Sequence, residues 1–471
     1  MTAGEGRARR ARRRDRQVYL ASHPVIFALL AATRGRAVTR LGGTLLISGT
    51  EAFRETLTRL PLDRTARGTT GGLARAVIED GVLSVPSVPS VLSEDGVLSE
   101  DGVLFDQDGS AHREMRRSLA ADLSTAGVER LRPVWRAVLA RHLAALGAGG
   151  EVDMVRASAE VAGATVCALL ALDADPVAVA RAVSLAADAA AREHLPGIHL
   201  PRTQRAGTQG AGIHRPETHR PETERPETHR PGTQRPGTQP AGTQGPWIRR
   251  PGAQRPGENR TLAEATDHLI QLLGARRPDA TGTPDATGMT DATGMTDATG
   301  MAVMLAIAAV STTMAGIPRA VAWCADSGMW PDADSGERRE ILAGELLRVT
   351  APTPLLPRVA AADGVAGGRR VRKGDRLILV ARHAAGAHRA GPDCGQPAPP
   401  QVAQLVFGAG SHACPGAALA RAQLCDTLQM LAPHRPVVVR ARASRRSGLP
   451  GWRTLVIRAD PRSGQQGDSC G

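Results

Sequence analysis

Ten residues near the C-terminus constrain this chain more than any others: Phe407-Gly-Ala-Gly-Ser-His-Ala-Cys414-Pro-Gly416. The glycines at 408 and 410 permit a tight turn that side chains would block. Cys414 follows, and Pro415 suits the first position of a helix. A cysteine at a helix N-terminus is favoured as thiolate by the helix dipole and the free N–H groups there. Gly416 carries no side chain, so a large flat ligand has room to approach the backbone. Such a loop is how a chain would present a thiolate to haem iron, with hydrogen bonds to the sulfur tuning its electronics.

The rest of the composition suits a large folded enzyme. Hydrophobic residues make up 42% of 471 residues, which excludes a wholly disordered chain. Four Phe, five Trp and one Tyr are too few for a protein that stacks single-stranded bases on aromatic rings. Lys373 is the only lysine, so almost all positive charge is arginine. The net charge of +13 suggests nucleic acid at first sight, but its distribution argues otherwise. Residues 1–16 hold seven Arg against Glu5 and Asp15, and residues 201–260 hold eleven Arg against five Glu. The remainder is nearly neutral. Six cysteines without a CxxC pair match neither a zinc site nor a disulfide framework and suit a reducing, cytoplasmic setting. The longest apolar stretch, Met301–Ile317, is short for a membrane span and reads as a buried core helix.

Three tracts repeat. EDGVL begins at Glu79, Glu94 and Glu100; Arg-Pro recurs every five residues from Arg215 to Arg235; DATG recurs every six from Asp279 to Asp297. Those periods are too short for solenoid units. They read as low-complexity loop insertions at about 80–99, 201–260 and 279–300, where added length costs little. Residues 1–17 and 461–471 read as disordered tails, leaving one domain over 18–460. Helical patterns cover Val128–Leu146, Glu151–Leu172, Pro176–Glu193, Thr261–Arg276, Met301–Ala325 and Arg338–Val349. Strand signals are few: Arg376–Val380, Val437–Val439 and Thr454–Arg458. The fold class is mainly α with small β-sheets.

Three further constellations carry chemistry. Glu345-Leu-Leu-Arg348 puts opposite charges at i and i+3, an ordinary helix pair worth about 0.3 kcal/mol if exposed. His112-Arg-Glu-Met-Arg116 puts two cationic donors on one helix face, suited to gripping carboxylates. Ala308-Ala-Val-Ser311-Thr312-Thr313 sets hydroxyls within the apolar helix.

With Cys414, these residues resemble the cytochrome P450 family, whose FxxGxxxCxG signature is complete here in Phe407, Gly410, Cys414 and Gly416, with His412 two before the cysteine. The resemblance spans roughly residues 18–458. It implies the cytochrome P450 fold and a non-covalently held haem b with Cys414 as its axial iron ligand. Phe407 would shield the sulfur, while His412, His112, Arg116 and Arg358 would bind the haem propionates. Glu345 and Arg348 would form the family's buried ExxR lock. Thr312 would stand over the distal face and assist proton delivery. Ser311 occupies the place of the family's acid; a hydroxyl can relay a proton but cannot hold negative charge near neutral pH. In a second departure, residues 393–407 offer no basic side chain to join the lock.

The implied reaction is insertion of one oxygen atom from O2 into a small organic substrate, in the manner of bacterial secondary-metabolite tailoring enzymes. Electrons from NAD(P)H would arrive through a separate ferredoxin and ferredoxin reductase, docking near Cys414 against basic residues such as Arg113, Arg117 and Arg421. No specific nucleic acid and no membrane span is expected. Three other readings stay open: a peroxide-driven or non-hydroxylating haem-thiolate enzyme, from Ser311; a degenerate haem binder without turnover, from the repeats; and a nucleic-acid binder, from the arginine tracts.

Overall fold

The computed structural model describes residues 3–63, 66, 121–194, 262–274, 292–410, 413–445 and 447–461. The EDGVL and Arg-Pro repeats, the His112–Arg116 segment, His412 and residues 462–471 lie outside the described residues.

Thirteen α-helices are described. They are α1 (Ala3–Ser22), α2 (Pro24–Thr33), α3 (Thr50–Arg59), α4 (Thr125–Gly147), α5 (Met154–Leu169), α6 (Pro176–His194), α7 (Leu262–Gly274), α8 (Ala292–Ser327), α9 (Trp330–Asp334), α10 (Gly336–Thr350), α11 (Ala381–Ala384), α12 (Pro400–Ala403) and α13 (Ala417–Leu431). Three small sheets accompany them. The largest runs β1 (Val38–Leu41), β2 (Thr44–Ile47), β8 (Arg376–Leu379), β5 (Leu356–Ala360), β3 (Leu62–Asp63). The second runs β4 (Glu151–Asp153), β10 (Trp452–Arg458), β9 (Val437–Ala443); β6 (Gly364–Ala366) and β7 (Arg369–Val371) form a hairpin. The fold is therefore mainly α with small sheets, as its sparse strand signals imply.

Local chemistry explains several boundaries. The expected helix from Glu151 is divided, because Asp153 caps α5 by accepting from the Val155 N–H at 3.0 Å while residues 151–153 pair with β10. Ser335 likewise caps α10, accepting from the Arg338 N–H at 3.2 Å. The expected insertion at 279–300 needs correction: its first part lies outside the described residues, but from Ala292 the chain is already helical and leads into α8.

Two apolar cores flank α8. One gathers α4, α5, α10 and α13 around Trp135, Leu342, Leu346 and Leu428. The other gathers α5, α6, α7 and α8 around Val166, Val183, Leu269 and Val310. Val303, Ala306, Ala320 and Val321 of α8 are all buried. The helix is long and apolar enough to cross a bilayer, but by this burial it is a core element.

The expected disordered tail at 1–17 is overturned. Residues 3–17 belong to α1, which packs on α8 with Ala11, Asp15, Val18 and Tyr19 buried. Asp15 accepts from Nε and Nη2 of Arg319 at 3.0 and 2.7 Å, and Arg319 is 1% exposed. Burial alone would lower the Arg319 pKa; Asp15 and Tyr19 outweigh it and hold it above the ordinary value. The Arg319 and Arg382 guanidiniums both lie over the Tyr19 ring, and its hydroxyl donates to the Thr350 carbonyl at 2.6 Å.

Candidate functional site

Cys414 sits in the loop that leads from a 3-10 turn (Gln404–Phe407) into α13. Gly408 has φ +82 and Gly410 φ +65, values that side chains rarely adopt. At Gly410 the positive φ requires glycine, and a Cβ would also stand 3.0 Å from Thr58 Cγ2, close enough that this methyl would have to give by a few tenths of an ångström. The Cys414 N–H donates to the Phe407 carbonyl at 2.7 Å, and the Ala413 N–H to the Gly410 carbonyl at 3.1 Å. These bonds fold the segment into a loop that leaves Cys414 exposed. Pro415 falls one place before the cap residue Gly416 rather than inside the helix, which begins at Ala417. At Gly416 a Cβ would stand 3.8 Å from Cys414 Sγ, an ordinary contact, so the described packing does not by itself demand glycine there.

The thiols differ in availability. Burial holds Cys324 well above the ordinary thiol value, pushes Cys394 up to about 12 and pushes Cys425 up to about 11. Cys167 is buried as well. Among the described cysteines, Cys414 alone is exposed. As a donor to an external group it therefore fits a haem iron, which takes a single axial thiolate.

Behind this loop, Glu345 and Arg348 of α10 form a two-pronged pair: Nε donates to Oε1 at 2.8 Å and Nη2 to Oε2 at 2.7 Å. They are 2% and 3% exposed. Backbone groups between residues 385 and 398 complete the lock without a third charged side chain. Arg348 Nη1 donates to the Ala385 carbonyl at 3.2 Å and Nη2 to the Gly391 carbonyl at 2.8 Å. The Asp393 and Ala398 N–H groups donate to the Glu345 carboxylate at 3.2 and 3.1 Å. A third charged side chain would be visible in a sequence; carbonyls and amides carry no residue-type signal.

On α8, Thr312 donates from Oγ1 to the Ala308 carbonyl at 2.7 Å. The Ser311 hydroxyl is buried with no hydrogen-bond partner among the described residues. Next along the helix, Thr313 Oγ1 lies 3.5 Å from Gln423 Oε1 of α13, and Gln423 Nε2 donates to Thr165 Oγ1 of α5 at 3.0 Å. This contact ties the Ser311–Thr312 stretch to the helix that starts just after Cys414. Arg358 lies on β5 opposite Leu377 of β8, and its Nη1 donates to the Pro357 carbonyl at 2.7 Å. Arg421 stacks its guanidinium on the Phe407 ring, 4.8 Å from the centroid. His112, Arg116, Arg113, Arg117 and His412 are not among the described residues.

No protein-family model and no curated protein matches the chain. Solved structures do. The P450 OxyD, involved in the biosynthesis of vancomycin-type antibiotics, aligns with a TM-score of 0.59 at 17% identity, over 94% of this chain and 97% of that one. The versatile cytochrome P450 enzyme CYP109B1 from Bacillus subtilis gives 0.59 at 15%, over 93% and 100%. The mycinamicin VIII C21 methyl hydroxylase MycCI from Micromonospora griseorubida gives 0.57 at 18%, over 91% and 95%. The chain has the cytochrome P450 fold.

Proposed function

We propose that this chain is a haem-thiolate monooxygenase that inserts one oxygen atom from O2 into a small organic substrate. The observation that carries the reading is Cys414, the one exposed thiol among the described cysteines, presented by a glycine-turned loop ahead of α13 within this fold. Haem b bound there would supply reductive activation of O2.

The chain's own groups divide the remaining work. Cys414 offers the sulfur ligand, and the Phe407 carbonyl holds its backbone N–H. The Glu345–Arg348 pair fixes the segment before the loop by gripping its backbone. Arg358, with His112, Arg116 and His412, would bind the carboxylates of the cofactor, and Phe407 and Gly416 would flank the ligand. Thr312, whose hydroxyl donates to the Ala308 carbonyl of its own helix, would assist proton delivery. Ser311 adds a second hydroxyl able to relay but not to store charge. Electrons from NAD(P)H would come through ferredoxin and ferredoxin reductase in the cytoplasm. The involvement of OxyD in antibiotic biosynthesis and the hydroxylase activity of MycCI favour a secondary-metabolite substrate in a bacterial setting.

The test is the carbon monoxide difference spectrum of the dithionite-reduced protein beside Cys414→Ser. A strongly red-shifted Soret band in the parent, lost in the variant, is the expected result. A band at the position of neutral-ligand haem would overturn thiolate ligation, and failure to take up haem would leave a degenerate relative.

The Ser311 hydroxyl in the acid position, without a hydrogen-bond partner among the described residues, favours one second reading, a peroxide-driven enzyme. Peroxide-supported turnover that survives Thr312→Ala, with none from NAD(P)H and redox partners, would select it.

A further inference from the structure

We propose that the outer face of α1, together with the start of α2, docks this protein on an anionic lipid bilayer. The inference does not depend on the haem reading. Between Arg7 and Arg16 the chain holds seven arginines, and among the described residues only Arg14 is in an ion pair, with Asp326. At ~100° per residue, Ala11, Asp15, Val18 and Ser22 form the buried stripe, and Arg9, Arg13, Arg16 and Leu20 share one sector on the opposite side. Arg9, Arg10, Arg13 and Arg16 are all exposed.

A charge run alone would be a solvated face. Two observations separate this one. First, the helix is rigidly seated, because the Asp15–Arg319 pair and the Tyr19–Thr350 hydrogen bond anchor its inner side. The arginines are thus held in a fixed array. Second, apolar side chains are exposed among and beyond them: Leu20 is 37% exposed and Val25 53%. They lead into α2, whose sequence PVIFALLAAT contains no charged residue.

Arginines beside exposed aliphatic residues fit headgroup phosphates above a shallow apolar layer. A nucleic-acid surface would satisfy the arginines but would leave Leu20 and Val25 facing polar phosphate and sugar. An acidic protein would need its own apolar patch in register with them. The bilayer satisfies both features at once.

The test is co-sedimentation of the full chain with phosphatidylcholine vesicles, with and without phosphatidylglycerol. Binding only to the anionic vesicles, weakened by salt, is expected. Arg9→Gln, Arg13→Gln and Arg16→Gln together should weaken partition about a hundredfold, from roughly 1 kcal/mol per arginine near such a surface. The matching lysine triple variant should bind like the parent. Val25→Asp should weaken binding while leaving its salt dependence intact. Parental binding by the glutamine triple, equal binding to neutral vesicles, or an unaffected Val25→Asp with displacement by duplex DNA would each overturn the proposal. Circular dichroism and thermal melting of every variant distinguish lost docking from lost folding.

Discussion

At the scale of single residues, a few buried groups set the energetics. Arg348→Ala would leave the Glu345 carboxylate in a dry interior without its partner, a loss of about 3–5 kcal/mol. Urea unfolding is expected to show it, and Arg348→Lys should restore only part, since an ammonium cannot make the two-pronged contact. The buried His383 and the half-buried His388 form a second cluster, with ring centroids 4.6 Å apart. Burial, then the neighbouring histidine and Arg382, Arg34 and Arg389, push His383 down to about 3; burial and the same three arginines push His388 down to about 4. Both stay neutral in the folded chain where the unfolded chain takes up protons. Their contribution is therefore complete above about pH 6.5 and is lost as pH falls toward the folded values. His383→Asn should flatten the acid limb of a urea-midpoint profile, a slope of up to about 1.4 kcal/mol per pH unit per histidine. Cys414 and the Glu345–Arg348 pair were legible in the sequence because their signals are local. The carbonyls of Ala385 and Gly391 were not, since any residue type supplies a carbonyl.

Elements show where close approach is enforced. Gly163 of α5 meets the first residue of α6: a Cβ there would stand 1.9 Å from the Pro176 carbonyl oxygen, so something must shift. Gly163→Ala should cost on the order of 1–3 kcal/mol, read as a lower thermal midpoint. The long helices α4, α6, α7 and α10 announce themselves by apolar periodicity, and the observed ends fall within a few residues of the expected ones. The short strands β1, β2, β5 and β6 carry no such periodic signal. Each has only three to five residues, too few for an alternation to stand out. Their pairing is also remote: β2 lies parallel to β8, so Leu45 finds Leu377 across most of the chain.

For the whole molecule, two arginine-rich tracts that look alike in composition are expected to behave differently. Deleting residues 3–22 would orphan Arg319 in the core and should cost several kcal/mol by the same argument as any broken buried pair. Replacing residues 201–260 with a short Gly/Ser linker should leave the thermal midpoint nearly unchanged, because that Pro/Gly/Thr-rich tract has few apolar side chains to bury. Differential scanning calorimetry of the two variants checks both outcomes. Taken by itself, the sequence determined the mainly α class, the order of the long helices, the thiol-bearing loop and the i,i+3 pair. Each of these rests on residues within a turn or two of one another, where spacing alone dictates geometry. Tertiary structure decided the rest: that Asp15 meets Arg319, that backbone groups complete the lock, that Arg421 covers Phe407, and that an arginine-rich start is a seated helix. Such contacts join positions from about a dozen to several hundred residues apart, and burial, which makes them consequential, exists only once the chain has closed on itself.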